Sequence, residues 1–239
     1  MVNLIGADLM GWNDGPLQSW YDVHEAIKTD LAALRREADT LSAETLLPFT
    51  EHLQFFMDVL QVHSLHEDGV AFPFMTANGI NVPEQIRQEH HSEQASLYDM
   101  RTQLARLHAL PETVEFAVEV DRLQKQLADF ERHLIAHISL EDEHLIPQFE
   151  STLEVSQQQM MIIRLTGETP TWIAPSLMVW MFSNISVEHG VQLFKAWQSF
   201  LPAATLQSKV SAVKAGVIPS LWGQYVDALP SLAAVGPPD

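Results

Sequence analysis

Two eleven-residue stretches, HSLHEDGVAFP at 63–73 and HISLEDEHLIP at 137–147, share one spacing: Glu four residues after the first His, Asp five after it and Pro ten after it. The matching positions are His63, Glu67, Asp68 and Pro73 in one copy, and His137, Glu141, Asp142 and Pro147 in the other. Four residues span about 6 Å of an α-helix and return to the same face, so each His and its Glu can reach a common point. A chain that carries this arrangement twice is predicted to supply two related halves of one centre.

Apolar residues keep a helical period through residues 1–154, with Gly and Pro falling between the periodic stretches. A first helix opens at Pro16 and carries His24, Ile27, Leu31 and Leu34 to about residue 40. A second starts near Thr45, carries Leu53, Phe56, Leu60, His63 and Glu67, and is expected to stop at Gly69. The third follows Pro83 with Ile86, His90, Leu97, Leu104 and Leu107. The fourth follows Pro111 with Val120, Leu123, Leu127, Phe130, Leu134, His137 and Glu141, and Pro147 is expected to end it. No strand pattern competes. The expected fold is all-α, an up-down-up-down antiparallel four-helix bundle.

His24, His63, His90 and His137 each lie on the apolar stripe of a different helix, so they are expected to point inward. One His on such a stripe is ordinarily a hydrogen-bonded core residue. Four imidazoles and two carboxylates buried without an ion would cost several kcal/mol for each unpaired group, so an ion is expected among them. Asp68 and Asp142 are expected at solvated helix ends or as acceptors for a ligand imidazole.

The donor set selects the metal. Structural zinc sites want four ligands, calcium and magnesium want oxygen, and copper(II) favours flatter arrangements; six mixed nitrogen and oxygen donors suit two irons. If each Glu bridges, every iron has four protein donors, an oxo or hydroxo bridge makes five, and one octahedral position stays open for O2, NO or peroxide. With no cysteine in the chain, disulfides, iron–sulfur ligation and thiol catalysis are excluded.

Charge divides the chain near residue 155. Beyond it lie four basic residues (Arg164, Lys195, Lys209, Lys214), four acidic ones (Glu168, Glu188, Asp227, Asp239), four of the six tryptophans and one of the eleven histidines, His189. Residues 1–154 are therefore expected to form the bundle, and 155–239 an extension of short helices packed on it. The net charge of −18 disfavours nucleic acid and anionic lipid as partners. MVNLIGADLMGWNDGP has no basic leader, and no later apolar run reaches membrane-spanning length, so a cytoplasmic location is expected.

The two HxxxE segments, each followed by an acidic residue and a hydrophobic-Pro ending, together with Glu89-His90 and the isolated His24, resemble the hemerythrin family and its HHE cation-binding domains over residues 17 to about 150. The resemblance implies His24 and His63 on one iron, His90 and His137 on the other, and Glu67 and Glu141 as bridges. The TWIAPSLMVWMF stretch and Trp222-x-x-Tyr225 more weakly resemble extensions on some bacterial members. Oxygen-carrying hemerythrins have a further His one turn after the isolated His of the third helix, where this chain has Gln94. His133, His91 and Glu93 are candidates to compensate, and His133 ranks first as an added ligand or a neighbour of one. The ferritin-like alternative needs paired Glu-x-x-His motifs, and only Glu141–His144 has that form.

Three uses follow from such a centre: reversible binding of O2 or NO, turnover of peroxide or NO by a redox enzyme, or an interaction module that reports iron or oxygen status to a partner. The absent fifth His leaves more exchangeable coordination. Tyr21, one turn before His24, is a candidate proton or electron donor, although packing is its simpler role.

Overall fold

The computed structural model describes residues 15–111 and 113–234, and among these every regular element is helical. Residues 1–14 of the opening segment read above for a leader lie outside the described residues. The helices are α1 (Gln18–Asp39), α2 (Leu46–His66), α3 (Phe72–Ala77), α4 (Glu84–Ala109), α5 (Val114–Leu140), α6 (Ile146–Thr152), α7 (Val155–Glu168), α8 (Ala174–Asn184), α9 (Val187–Phe200), α10 (Ala203–Gly216) and α11 (Pro219–Ala228). The described residues form two compact units: Ile27–Thr169, and residues 15–26 together with 170–234.

In the first unit, polar contacts between helices fix the directions. On α4 and α5, Glu89 meets His137 and Gln103 meets Glu119, so the two run antiparallel. Thr50 meets His108 and Asp68 meets His90, setting α2 against α4. Lys28 meets Asp142, while Gln124 donates to the Ala38 carbonyl, setting α1 against α5. His52 on α2 reaches Asp30 on α1. These contacts close a ring of four antiparallel helices. Leu31, Leu34, Leu53, Phe56, Ile86, Leu107, Leu123, Leu127 and Phe130 fill its core. Each leucine or phenylalanine contributes about 2–5 kcal/mol by the usual cost of truncation to Ala.

Two expectations about this bundle are corrected. Gly69 does not stop the second helix, and Pro147 does not end the fourth. A π-helical segment, Glu67–Ala71, joins α2 to α3, and another, Glu141–Leu145, joins α5 to α6. Phe72 N–H donates to the Glu67 carbonyl and Ile146 N–H to the Glu141 carbonyl, each across five residues. Pro73 and Pro147 follow immediately. A proline lacks the N–H and clashes with the carbonyl four residues back, and the wider turn relieves that clash without breaking the helix.

The change of charge near residue 155 and the limit of this unit at Thr169 do not coincide. The low-charge α7 starts with a capping box between Glu154 and Gln157, buries Met161, and ties Gln157 to Asn78 at 3.2 Å. It therefore packs with the bundle.

The second unit gathers α8–α11 around an aromatic core. Phe182 and Phe194 lie 4.4 Å apart between centroids, with Trp197 and Tyr225 packed edge-on or tilted against them. The buried Tyr225 hydroxyl donates to the Phe182 carbonyl at 2.7 Å. Within the same unit, the start of α1 is tied to α9. Glu25 accepts from Ser186 N at 3.0 Å, and His189 Nδ1 lies 3.0 Å from Asp22 and 2.9 Å from Glu25. No described helix is long and apolar enough to cross a membrane.

Candidate metal centre

Both π segments begin at the Glu of the sequence repeat, so the carboxylates enter the bundle interior where the helix widens. Glu67 and Glu141 are buried, as are His90 and His137. One ligand atom from each of these four lies within 4.8 Å of the others, a group able to hold a metal ion. Glu67 spans two helices: Oε1 lies 3.2 Å from His63 Nε2 on α2, and Oε2 lies 3.1 Å from His90 Nε2 on α4. Glu141 Oε1 lies 3.6 Å from His137 Nε2. The His90 and His137 rings are 4.9 Å apart between centroids.

The outer nitrogens show how the rings are aimed. His90 Nδ1 donates to Asp68 Oδ2 at 3.1 Å, and His137 Nδ1 donates to Glu89 Oε2 at 2.9 Å. Each bond fixes its ring and turns Nε2 inward, as carboxylates behind metal-ligating imidazoles do. Neither inward Nε2 has a hydrogen-bond partner; His90 Nε2 is close to Glu67 but misaligned with it. Once deprotonated, an inward Nε2 beside two carboxylates could offer its lone pair to a cation. Asp68 is thus an acceptor for an imidazole, whereas Asp142 at the matching position pairs with Lys28 at 2.7 Å.

Further contacts hold His90. Phe72 stacks on it with planes 7° apart at 5.9 Å, Arg87 covers the Phe72 ring at 5.3 Å, and Arg87 also lies 3.4 Å from Asp68.

The electrostatics of these groups suit a cation. Burial by itself lowers the pKa of His90, but the Glu67 and Asp68 carboxylates outweigh it and hold the ring at about 9. Burial lowers that of His137. Burial, reinforced by the Glu67 and Glu93 carboxylates, pushes Glu141 well above the usual carboxylate range. Glu93 is pushed up to about 8, chiefly by burial. A bound cation would replace protons at these groups.

His24 is fully buried on α1, with Trp20 edge-on at 6.5 Å, and Tyr21 is half-buried beside it. His133, Gln94 and His91 are exposed, and the buried polar residue beside His137 is Glu93. The signal for Glu93 was its place three residues after His90, which helical spacing puts on the same face. His66 is half-buried and turned to Thr169 at 3.4 Å.

Comparison with known proteins agrees with this geometry. The family model for the hemerythrin HHE cation-binding domain matches residues 15–165. The zinc finger protein BRUTUS of Arabidopsis thaliana is 22% identical over 219 residues, covering 79% of this chain and 18% of the plant protein. A BRUTUS-like zinc finger protein of the same plant is 22% identical over 209 residues, covering 84% and 16%. The chain thus spans less than a fifth of these relatives. It has no cysteine with which to form a cysteine-ligated finger. No solved structure matches.

Proposed function

This chain belongs to the hemerythrin HHE cation-binding domain family, and from that premise we propose that it is a non-haem di-iron protein that binds O2, NO or peroxide at an open iron position. The observation that carries the reading is the pair of inward Nε2 atoms on His90 and His137, buried without hydrogen-bond partners and gathered with the Glu67 and Glu141 carboxylates. In this reading His90 and His137 hold one iron, His24 and His63 hold the other, and Glu67 and Glu141 bridge. Glu67 already offers one oxygen to His63 and the other to His90. His24 is assigned from its helix: α1 runs unbroken from Gln18 to Asp39, and Lys28, one turn after His24, pairs with Asp142 beside Glu141.

When bound, the two irons supply a redox-active pair that takes up a small ligand. The protein's own contribution is to orient the imidazoles through Asp68 and Glu89, to keep water from His90 with the stacked Phe72, and to balance charge with two bridging carboxylates.

The test is metal analysis of the purified chain, with optical spectra before and after O2, NO and peroxide. Two irons per chain and a reversible spectral change on O2 or NO support binding; repeated turnover of peroxide or NO would assign a redox enzyme instead. Absence of iron uptake overturns the reading. One observation favours a second reading, an iron- or oxygen-sensing module: the matching region is under a fifth of each longer relative.

A further inference from the structure

Glu93 takes no part in the ligand set above, and the needs of folding do not explain its position. It lies on α4 three residues after His90, on the same helix face, and is 8% exposed. Its Oε1 lies 3.9 Å from His137 Nδ1 and has no hydrogen-bond partner. His137 Nδ1 is already engaged by Glu89 at 2.9 Å, so orienting that ring does not require a second carboxylate. A carboxyl with a buried oxygen left without a donor is costly, and a glutamine or leucine of similar size would fill the space at lower cost. The other polar residues that could serve this side of the centre, His91, Gln94 and His133, are exposed.

We infer that Glu93 is a further ligand of the iron held by His90 and His137, delivering a carboxylate oxygen to that iron by rotation of its side chain. The inference rests on the di-iron reading and deepens it. It replaces a permanently open position with one guarded by a displaceable carboxylate. An incoming anion then has to expel Glu93, and a third carboxylate beside the pair favours the more highly charged, ferric state. The same position explains how a chain with Gln94 exposed can still complete the coordination of that iron.

The test uses the full chain loaded with iron, as wild type, Glu93→Gln, Glu93→Asp and Glu67→Ala. Iron per chain is measured, followed by the ferric charge-transfer spectrum and a titration with azide, a small anion that coordinates ferric iron. Glu93→Gln removes the anionic ligand at constant volume. It is expected to change the ferric spectrum before azide is added and to tighten azide binding by about tenfold, the effect of about 1.4 kcal/mol. Loss of one iron from folded Glu93→Gln would equally support ligation. Glu93→Asp, too short to reach, is expected to behave like Glu93→Gln and serves if that variant fails to fold. The metal-free Glu93→Gln protein is expected to melt at a higher temperature than metal-free wild type, because a costly buried carboxyl is gone. If wild type binds two irons, Glu67→Ala loses iron, and both Glu93 variants match wild type in spectrum and azide affinity, the inference alone falls. If wild type takes up no iron, the di-iron reading falls with it.

Discussion

Asp68 accepts the Nδ1 hydrogen of His90 at 3.1 Å, joining the residue after the first repeated Glu to the isolated His of the third bundle helix. The bond turns His90 Nε2 toward the interior, and Arg87 at 3.4 Å holds Asp68 in turn. Asp68→Ala is expected to leave the fold intact, because the side chain is partly exposed, and to weaken metal binding by about 10- to 100-fold. Competition with a chelator of known affinity measures this. Equal affinity in the variant would remove Asp68 from the centre.

Glu67 and Glu141 are expected to matter more than any neighbouring histidine outside the cluster. In the di-iron reading Glu67→Ala or Glu141→Ala removes a bridging carboxylate, and iron content should fall toward one metal or none. His66→Ala should change it little, since His66 turns to Thr169. Equal iron loss from His66→Ala and His63→Ala would overturn the assignment of the HxxxE face.

The four-helix bundle was legible because it rests on spacing alone: His24, Leu31, His90, Leu97, Leu123 and His137 recur at helical intervals, and burial follows period. The wider turns at Glu67 and Glu141 were not legible, because a proline in sequence reads as a helix end and only the surrounding packing shows that the helix continues. Glu93 was one of three options and ranked below His133, since each lies about one turn from a histidine of the repeat or its partner helix, Glu93 from His90 on α4 and His133 from His137 on α5. The small rotation that buries one and exposes the other depends on how α4 and α5 pack. The unit of α8–α11 carries short helices with few periodic repeats, so its aromatic core was visible only as composition.

Pro73 and Pro147 lead to a prediction of opposite sign for stability and for binding. Replacing both with Ala restores two backbone donors and permits ordinary α-helical turns, so the metal-free protein should melt no lower than wild type. The same change should rotate Glu67 and Glu141 relative to the histidines and weaken metal binding. Melting curves and chelator competition on the double variant check both halves, and unchanged metal affinity would mean that the π turns do not position the carboxylates.

Metal-free protein should lose stability as pH rises from about 6.5 to about 9. His90 and His52 are both held at about 9, His52 by its hydrogen bonds to Asp30 and Glu37 against the opposing effect of burial. Their stabilising contribution is full below the unfolded value near 6.5 and is lost as each deprotonates. Glu93, raised to about 8 by burial, adds to the fall from about pH 4.5 upward. His137 and His66, both lowered by burial, act in the other direction, but only below about 6.5. Lys209, lowered by burial, opposes the fall at the alkaline end. Bound metal replaces the protons at the centre, so the gap in melting temperature between loaded and metal-free protein should widen with pH. A metal-free melting temperature that rises over this window would contradict these assignments.

Gly190 on α9 faces the ring of Tyr225 on α11 so closely that an added Cβ would lie 2.6 Å from the Tyr225 hydroxyl and 2.8 Å from its Cζ. Tyr225 is held by its hydrogen bond to the Phe182 carbonyl and by packing against Phe194, so it has little room to withdraw. Gly190→Ala should therefore destabilise this unit by about 1–3 kcal/mol, the usual cost of overpacking. Thermal unfolding followed by tryptophan fluorescence reads the change, since Trp197 and Trp222 both pack on Phe194, which also packs on Tyr225. His189, the preceding residue on α9, binds Asp22 and Glu25 on either side of His24. Loosening α9 should thus also disturb the start of α1, which carries His24. A Gly190→Ala protein that melts like wild type would show that α9 and α11 can separate without cost.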